Sequence, residues 1–202
     1  MSHRLTALLA TLAFAVPLTF LAPSPAEAQS AAAKILEKAR GQARDIEELR
    51  KVLNGPDQNM RLATFDAMIQ SGDETMKQVA FETGLMSADS VMRAMAFKAL
   101  VMSLDNVHLT LTPDTTAPKK VQEASADWIS RRGNGYVVSL KKKNIEAGTF
   151  DFNGGEGQVS GLEFVFKWGS DSGSLTLTDE NTLAGVARLG GGAQFKATAR
   201  LR

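Results

Sequence analysis

The chain has 202 residues, no cysteine, and 23 basic against 22 acidic side chains, for a net charge of +1. Without cysteine there is no thiolate catalysis, no zinc ribbon, no iron–sulfur ligation and no disulfide framework. The near-neutral balance lacks the basic footprint of a nucleic-acid binder.

The first 28 residues read as a cleavable secretory signal peptide. His3 and Arg4 give a positive start, Leu5 to Leu21 is almost wholly apolar, and Ala26-Glu27-Ala28 places small residues where a signal peptidase reads. Pro17 interrupts the apolar run, which leaves it short of the ~20 residues a spanning helix requires. Cleavage after Ala28 would leave a mature chain beginning at Gln29 that is periplasmic or secreted, with no membrane span. Export without disulfides fits a bacterial envelope.

Composition divides the remainder. Of 17 glycines only Gly41, Gly55, Gly72 and Gly84 precede residue 105, and apart from the initiator every methionine lies between residues 60 and 102. An α-helical part over residues 29–104 is therefore expected to precede an antiparallel β-domain over residues 105–202, an α+β chain. Within the first part, Asp57, Asp73 and Asp89 recur with a period of 16. Each is followed at fixed offsets by Met60, Met76 or Met92, a basic residue (Arg61, Lys77, Arg93) and a phenylalanine (Phe65, Phe81, Phe97). Aspartate caps helix N-termini, so each unit reads as one helix and a turn. The spacing predicts Phe65, Phe81 and Phe97 as equivalent core positions. It also predicts apolar stripes along Met60, Ala63 and Ala67 and along Met92, Met95 and Ala99. Pro56 to Met68 and Ala88 to Leu100, each with proline or alanine, aspartate, arginine and an alanine-rich face, resemble HEAT-type helices. The resemblance covers about residues 44–103, with a period shorter than the usual ~40 residues. It implies a stacked scaffold that binds other macromolecules, and no catalytic residues.

The second part alternates with period two at Val107–Thr112, Tyr136–Lys141, Phe150–Phe152, Leu162–Trp168, Ser174–Thr178 and Phe195–Arg202. Glycine- and asparagine-rich turns lie between. Six or seven antiparallel strands, forming a small barrel or a sandwich, are expected. Val121 to Ile129 has helical spacing.

Chemistry is sparse. His108, the one histidine after the signal, lies on the polar side of a strand. The methionines are spaced as helix core rather than as soft-metal ligands. Asp151 and Glu156, flanking a turn, and the loop acids Asp171, Asp179 and Glu180 are the carboxylates that could pair for hydrolysis. No catalytic, cofactor-binding or metal-binding residues are assigned. The basic residues Arg131, Arg132, Lys141, Lys142 and Lys143, with Trp128 and Tyr136, are candidate binding residues for an envelope protein or an anionic glycan. The sequence thus points to an exported, non-enzymatic binding or assembly protein of the cell envelope. The competing reading is a carboxylate-based hydrolase of envelope polymers.

Overall fold

In the computed structural model the described residues are 25–201. The apolar run of the expected signal peptide lies outside them. Among the described residues no helix is long and apolar enough to cross a membrane. The helices are α1 (Pro25–Leu53), α2 (Gln58–Gln70), α3 (Glu74–Leu85) and α4 (Ser90–Ser103), with α5 (Lys119–Arg132) between the first two strands. The strands are β1 (Asn106–Pro113), β2 (Gly135–Ser139), β3 (Lys141–Asn144), β4 (Thr149–Phe152), β5 (Gly155–Ser160), β6 (Glu163–Trp168), β7 (Asp171–Leu177), β8 (Thr182–Leu189) and β9 (Ala193–Arg200). Among the described residues, those from Arg44 onward form one compact unit and those before it belong to another.

The repeated aspartates are helix caps. Asp57 accepts from the Met60 amide, Asp73 from Thr75 and Met76, and Asp89 from Val91 and Met92. Each satisfies amides that have no partner inside the helix. The buried faces differ in part from the expected stripes. Met60, Ala63 and Ala67 face outward, whereas Phe65 and Met68 are the buried residues of α2. On α4 the fully buried set is Met92, Ala96, Phe97, Val101 and Met102, with Met95 and Ala99 at its margin. Phe65 and Phe97 are buried but Phe81 is only partly so. The three phenylalanines are therefore not equivalent. α3 turns its phenylalanine toward a groove instead of a further helix.

The strands form one antiparallel sheet in the order β2-β1-β9-β8-β7-β6-β5-β4-β3. Its two edges, β2 and β3, are separated in sequence by Leu140 alone, whose amide bonds to the Asp105 carbonyl at 2.8 Å. A sheet whose opposite edges are one residue apart in the chain must curl on itself, and the result is a nearly closed barrel. β2 and β3 behave as one bent strand, its upper half paired to β1 and its lower half to β4. The bend falls at Leu140, and β3 beyond it carries a bulge with Lys142 at φ 44°.

Large and small interior side chains alternate around the wall. In one layer Phe150 faces Gly157, Gly157 faces Phe166, Phe166 faces Gly173, Gly173 faces Ala187, and Ala187 faces Phe195. A Cβ at Gly157 would lie 2.1 Å from the Phe150 ring, and one at Gly173 would lie 2.2 Å from the Phe166 ring. The rings occupy the space those glycines vacate, which fills a narrow lumen without overpacking.

A helix sits over each end of the barrel. At one end α4 runs directly into β1, and its Lys98 donates to the Glu146 carbonyl at 3.0 Å and its Arg93 to the Thr178 carbonyl at 2.8 Å. At the other, α5 lies over β9. There Ser125, the buried polar residue, donates to the Gln194 carbonyl at 2.9 Å and accepts from the Gln194 amide. Trp128 packs edge-on against Phe195.

Candidate functional sites

The candidate binding residues are distributed over two ends of the barrel. Trp128 is buried under α5, with the Arg132 guanidinium 5.9 Å from its ring centre. Arg131 pairs with Asp127 one helical turn away. Tyr136 is at the start of β2, so Trp128, Arg131, Arg132 and Tyr136 gather at the α5 end. Lys141, Lys142 and Lys143 lie beyond the five residues of β2, about 17 Å further along the strand. Lys143 is turned toward α4 and donates to the Leu104 carbonyl at 3.0 Å, while Lys142 pairs with Asp151 at 2.8 Å. Lys141 and Lys142 are both exposed on the edge strand, a position at which lysine blunts strand-to-strand association. The seven residues do not compose one patch.

Tyr136 has a defined task. Its hydroxyl donates to Asp171 at 2.7 Å, and the other oxygen of Asp171 accepts the Gly190 amide at 2.8 Å. The tyrosine on β2 is thereby tied to the β6–β7 and β8–β9 corners across the barrel mouth. Its ring stacks on Phe166 and meets Phe152 edge-on. Burial and the hydrogen bond to the Asp171 carboxylate together push its pKa far above the usual phenol range. Both oxygens of Asp171 are occupied by the latch, so this loop acid serves architecture.

Asp179 is bonded by Arg93 at 2.9 Å. Asp151 and Glu156, by contrast, do come together: they face each other directly across β4 and β5. Glu156 in turn opposes Lys167 on β6. The outer wall therefore carries a row of charge, the two carboxylates of Asp151 and Glu156 flanked by Lys142 and Lys167, around a depression of about 480 Å³. Asp151 raises the pKa of Lys142 through their hydrogen bond. His108 is exposed on the outer face of β1, opposite Val137. Among the described residues no group of three or more His, Asp or Glu side chains is placed to hold a metal ion.

A larger concavity, about 870 Å³, lies where α3 and α4 meet the barrel end. Phe81, Leu85, Met86 and Leu100 form its helical wall. Asn181, Thr182, Arg200 and Leu201 form its barrel wall. Met86 is 80% exposed, a large apolar side chain in water at the lip of the groove. Sequence reasoning missed this site because its two walls are about 100 residues apart in the chain and neither carries a motif. The one available signal was Met86, which interrupts the Ser87-Ala88 turn region with an apolar residue that no stripe accounts for.

Comparison with known protein-family models, with characterised proteins and with solved structures finds no match to this chain.

Proposed function

We propose that this is an exported, non-enzymatic binding or assembly protein of the bacterial cell envelope, and that its partner docks in the groove between α3 and the barrel. The supporting observation is the groove itself. It combines exposed or half-exposed apolar side chains, Met86 and Phe81, with a polar rim of Glu82, Glu180 and Arg200. An apolar centre with a polar margin is the composition of a partner-binding surface. The helical scaffold supplies one wall, in keeping with the macromolecule-binding role that the HEAT-like resemblance implies. The test is capture from envelope extract by the mature protein, followed by affinity measurement with the captured partner. Met86→Glu should weaken binding at least about tenfold while leaving thermal stability unchanged. Unaltered affinity in that variant would remove the groove from the account.

A second reading, a carboxylate-based hydrolase, is favoured by one observation, the direct opposition of Asp151 and Glu156. It requires turnover of an envelope polymer that Asp151→Asn and Glu156→Gln each abolish.

A further inference from the structure

Ile35 and Leu36 are large apolar side chains on α1 that stand in water, 68% and 56% accessible. With Ala32, Ala39 and Ala43 they follow the i, i+3, i+4, i+7, i+11 spacing of one helical face, about 100° wide. Every member of that face is exposed. Further along the same helix Ile46 and Leu53 keep the spacing, and there the core covers them, Leu53 fully and Ile46 in part. Lys38 and Arg40 border the exposed stretch, one on each side. Over residues 31–43 the charged side chains are Lys34, Glu37, Lys38 and Arg40, three basic against one acidic, a net of +2.

The groove between α3 and the barrel, formed wholly by residues 78–201, has the complementary character. Met86 and Phe81 are uncovered or half-covered apolar side chains within it. Its rim sets two acids, Glu82 and Glu180, against one base, Arg200. Glu180 is exposed, and Glu82 is held only by Arg50 at 3.7 Å, with its side chain still largely in water.

We propose that the groove receives residues 31–43 of α1 from a second copy of this chain, and that two copies exchange these helices in a closed dimer. The inference rests on the reading of the groove as a docking site and names its occupant. Anchors at i, i+3, i+4 and i+7 are how a helix enters an apolar groove. Two large side chains among alanines make a narrow ridge, which suits a cleft better than the broad apolar face that a lipid surface takes up. The basic flanks of the helix meet the acidic side of the rim. α1 runs unbroken from Pro25 to Leu53, so residues 31–43 have no turn by which to fold back, and the helix they complete is another molecule's. Helix and groove belong to one chain, so every molecule brings both in equal number, and a two-fold exchange closes the assembly.

The experiment is sedimentation equilibrium of the mature protein. A monomer–dimer equilibrium with a dissociation constant of about 1–10 μM is expected. Met86→Glu, in the groove, and the double variant Ile35→Gln with Leu36→Gln, on the helix, should each weaken it at least about tenfold. All three positions are exposed, so the monomers should keep their thermal stability. An equimolar mixture of the two variants should associate more tightly than either alone, because one intact helix then meets one intact groove. A monomer at every concentration up to about 100 μM would overturn the proposal and leave the groove free for a different partner. A dimer indifferent to Met86→Glu would overturn it by showing that the helices pair with each other. A dimer indifferent to the helix variant would overturn it by showing that the grooves do. A mixture no tighter than its components would overturn the exchange. Binding of the monomer to phosphatidylglycerol vesicles, lost in the helix variant, would overturn it in favour of a membrane surface.

Discussion

Arg93 reaches from α4 to Asp179 in the β7–β8 turn at 2.9 Å, and in doing so repeats the reach of Arg61 to Asp89 inside the helical array. The two arginines occupy the same position two repeats apart, and in both the Nε atom is buried. Where a further helical unit would offer its capping aspartate, the barrel offers a turn. The helical part thus meets the barrel through the same arginine-to-aspartate contact that joins its own helices. Arg61 and Asp89 are both largely buried, and the guanidinium holds the Asp89 carboxyl below the usual range. At the barrel the aspartate is 99% exposed and the arginine only 18%.

That asymmetry sets the first prediction. Arg93→Ala removes a part-buried guanidinium and its bond to the Thr178 carbonyl, and should cost about 1–2 kcal/mol. Asp179→Ala removes only an exposed partner, and should cost less than about 0.5 kcal/mol. Urea titration of the two variants checks the order. Equal losses would mean that the ion pair, rather than the backbone bond, holds the junction.

The phenylalanine positions give a second comparison. Phe65 and Phe97 are buried at 2% and 0%, so truncation to alanine should cost about 3–5 kcal/mol at each. Phe81 borders the groove, and its truncation should cost clearly less, about 1–2 kcal/mol, because part of its surface is already in water. A Phe81→Ala loss as large as the other two would show that the groove closes over it in solution.

The alternating interior of the barrel predicts a compensating pair. Gly157→Ala would press a methyl into the Phe150 ring, which is itself stacked on Phe164, and should cost about 1–3 kcal/mol. Phe150→Leu should also destabilise, by leaving a void. The double variant should be more stable than the sum of the two losses allows, by at least about 0.5 kcal/mol. Strict additivity would separate the two residues energetically.

The same pair explains what the sequence shows and what it hides. The change from helices to strands and the antiparallel class are legible in the glycine distribution and the alternation. So are Asp57, Asp73 and Asp89 as caps. The strands β5 and β8 are not, because their inward positions include Gly157 and Gly185. The space at Gly157 is filled by the Phe150 ring and that at Gly185 by the backbone of Ser174 and Leu175, so no local alternation remains to be read. β3 is lost for a different reason. It is a short edge strand of lysines whose pairing is set by the bend at Leu140. The outward face of Met60, Ala63 and Ala67 was misleading because small apolar residues satisfy helical periodicity on either side of α2. The pairing of Asp151 with Glu156 follows from the two-residue turn between their strands, and was within reach of the sequence. The joining of Asp171 to Tyr136 across the mouth was not.

Export is tested at the N-terminus. The polar start, apolar run and small residues at Ala26 and Ala28 predict that the exported protein begins at Gln29. Sequencing of the secreted or periplasmic product checks this. A product that retains Leu5 to Leu21 would contradict both cleavage and the proposed location.

Tyr136 is the sole tyrosine of the chain, so its ionisation can be followed without interference. Its pKa is raised in the folded state, first by burial and then by the hydrogen bond to Asp171. In the unfolded chain it titrates near the ordinary value of about 10. Above that pH the unfolded state has released the phenolic proton and the folded state still holds it. Fewer protons are bound in the unfolded state, so the stability of the fold falls as pH rises. The latch's contribution is complete below pH of about 10 and declines above it. Tyrosinate absorbance should therefore stay absent from the native protein at a pH where the denatured chain is already ionised. Tyr136→Phe should cost about 1–2 kcal/mol at neutral pH through loss of the bond to Asp171. The same variant should lose this residue's part of the alkaline decline, leaving a flatter stability profile. If native Tyr136 instead titrates with the denatured chain, the hydroxyl is open to water and the link between β2 and β7 is not formed in solution.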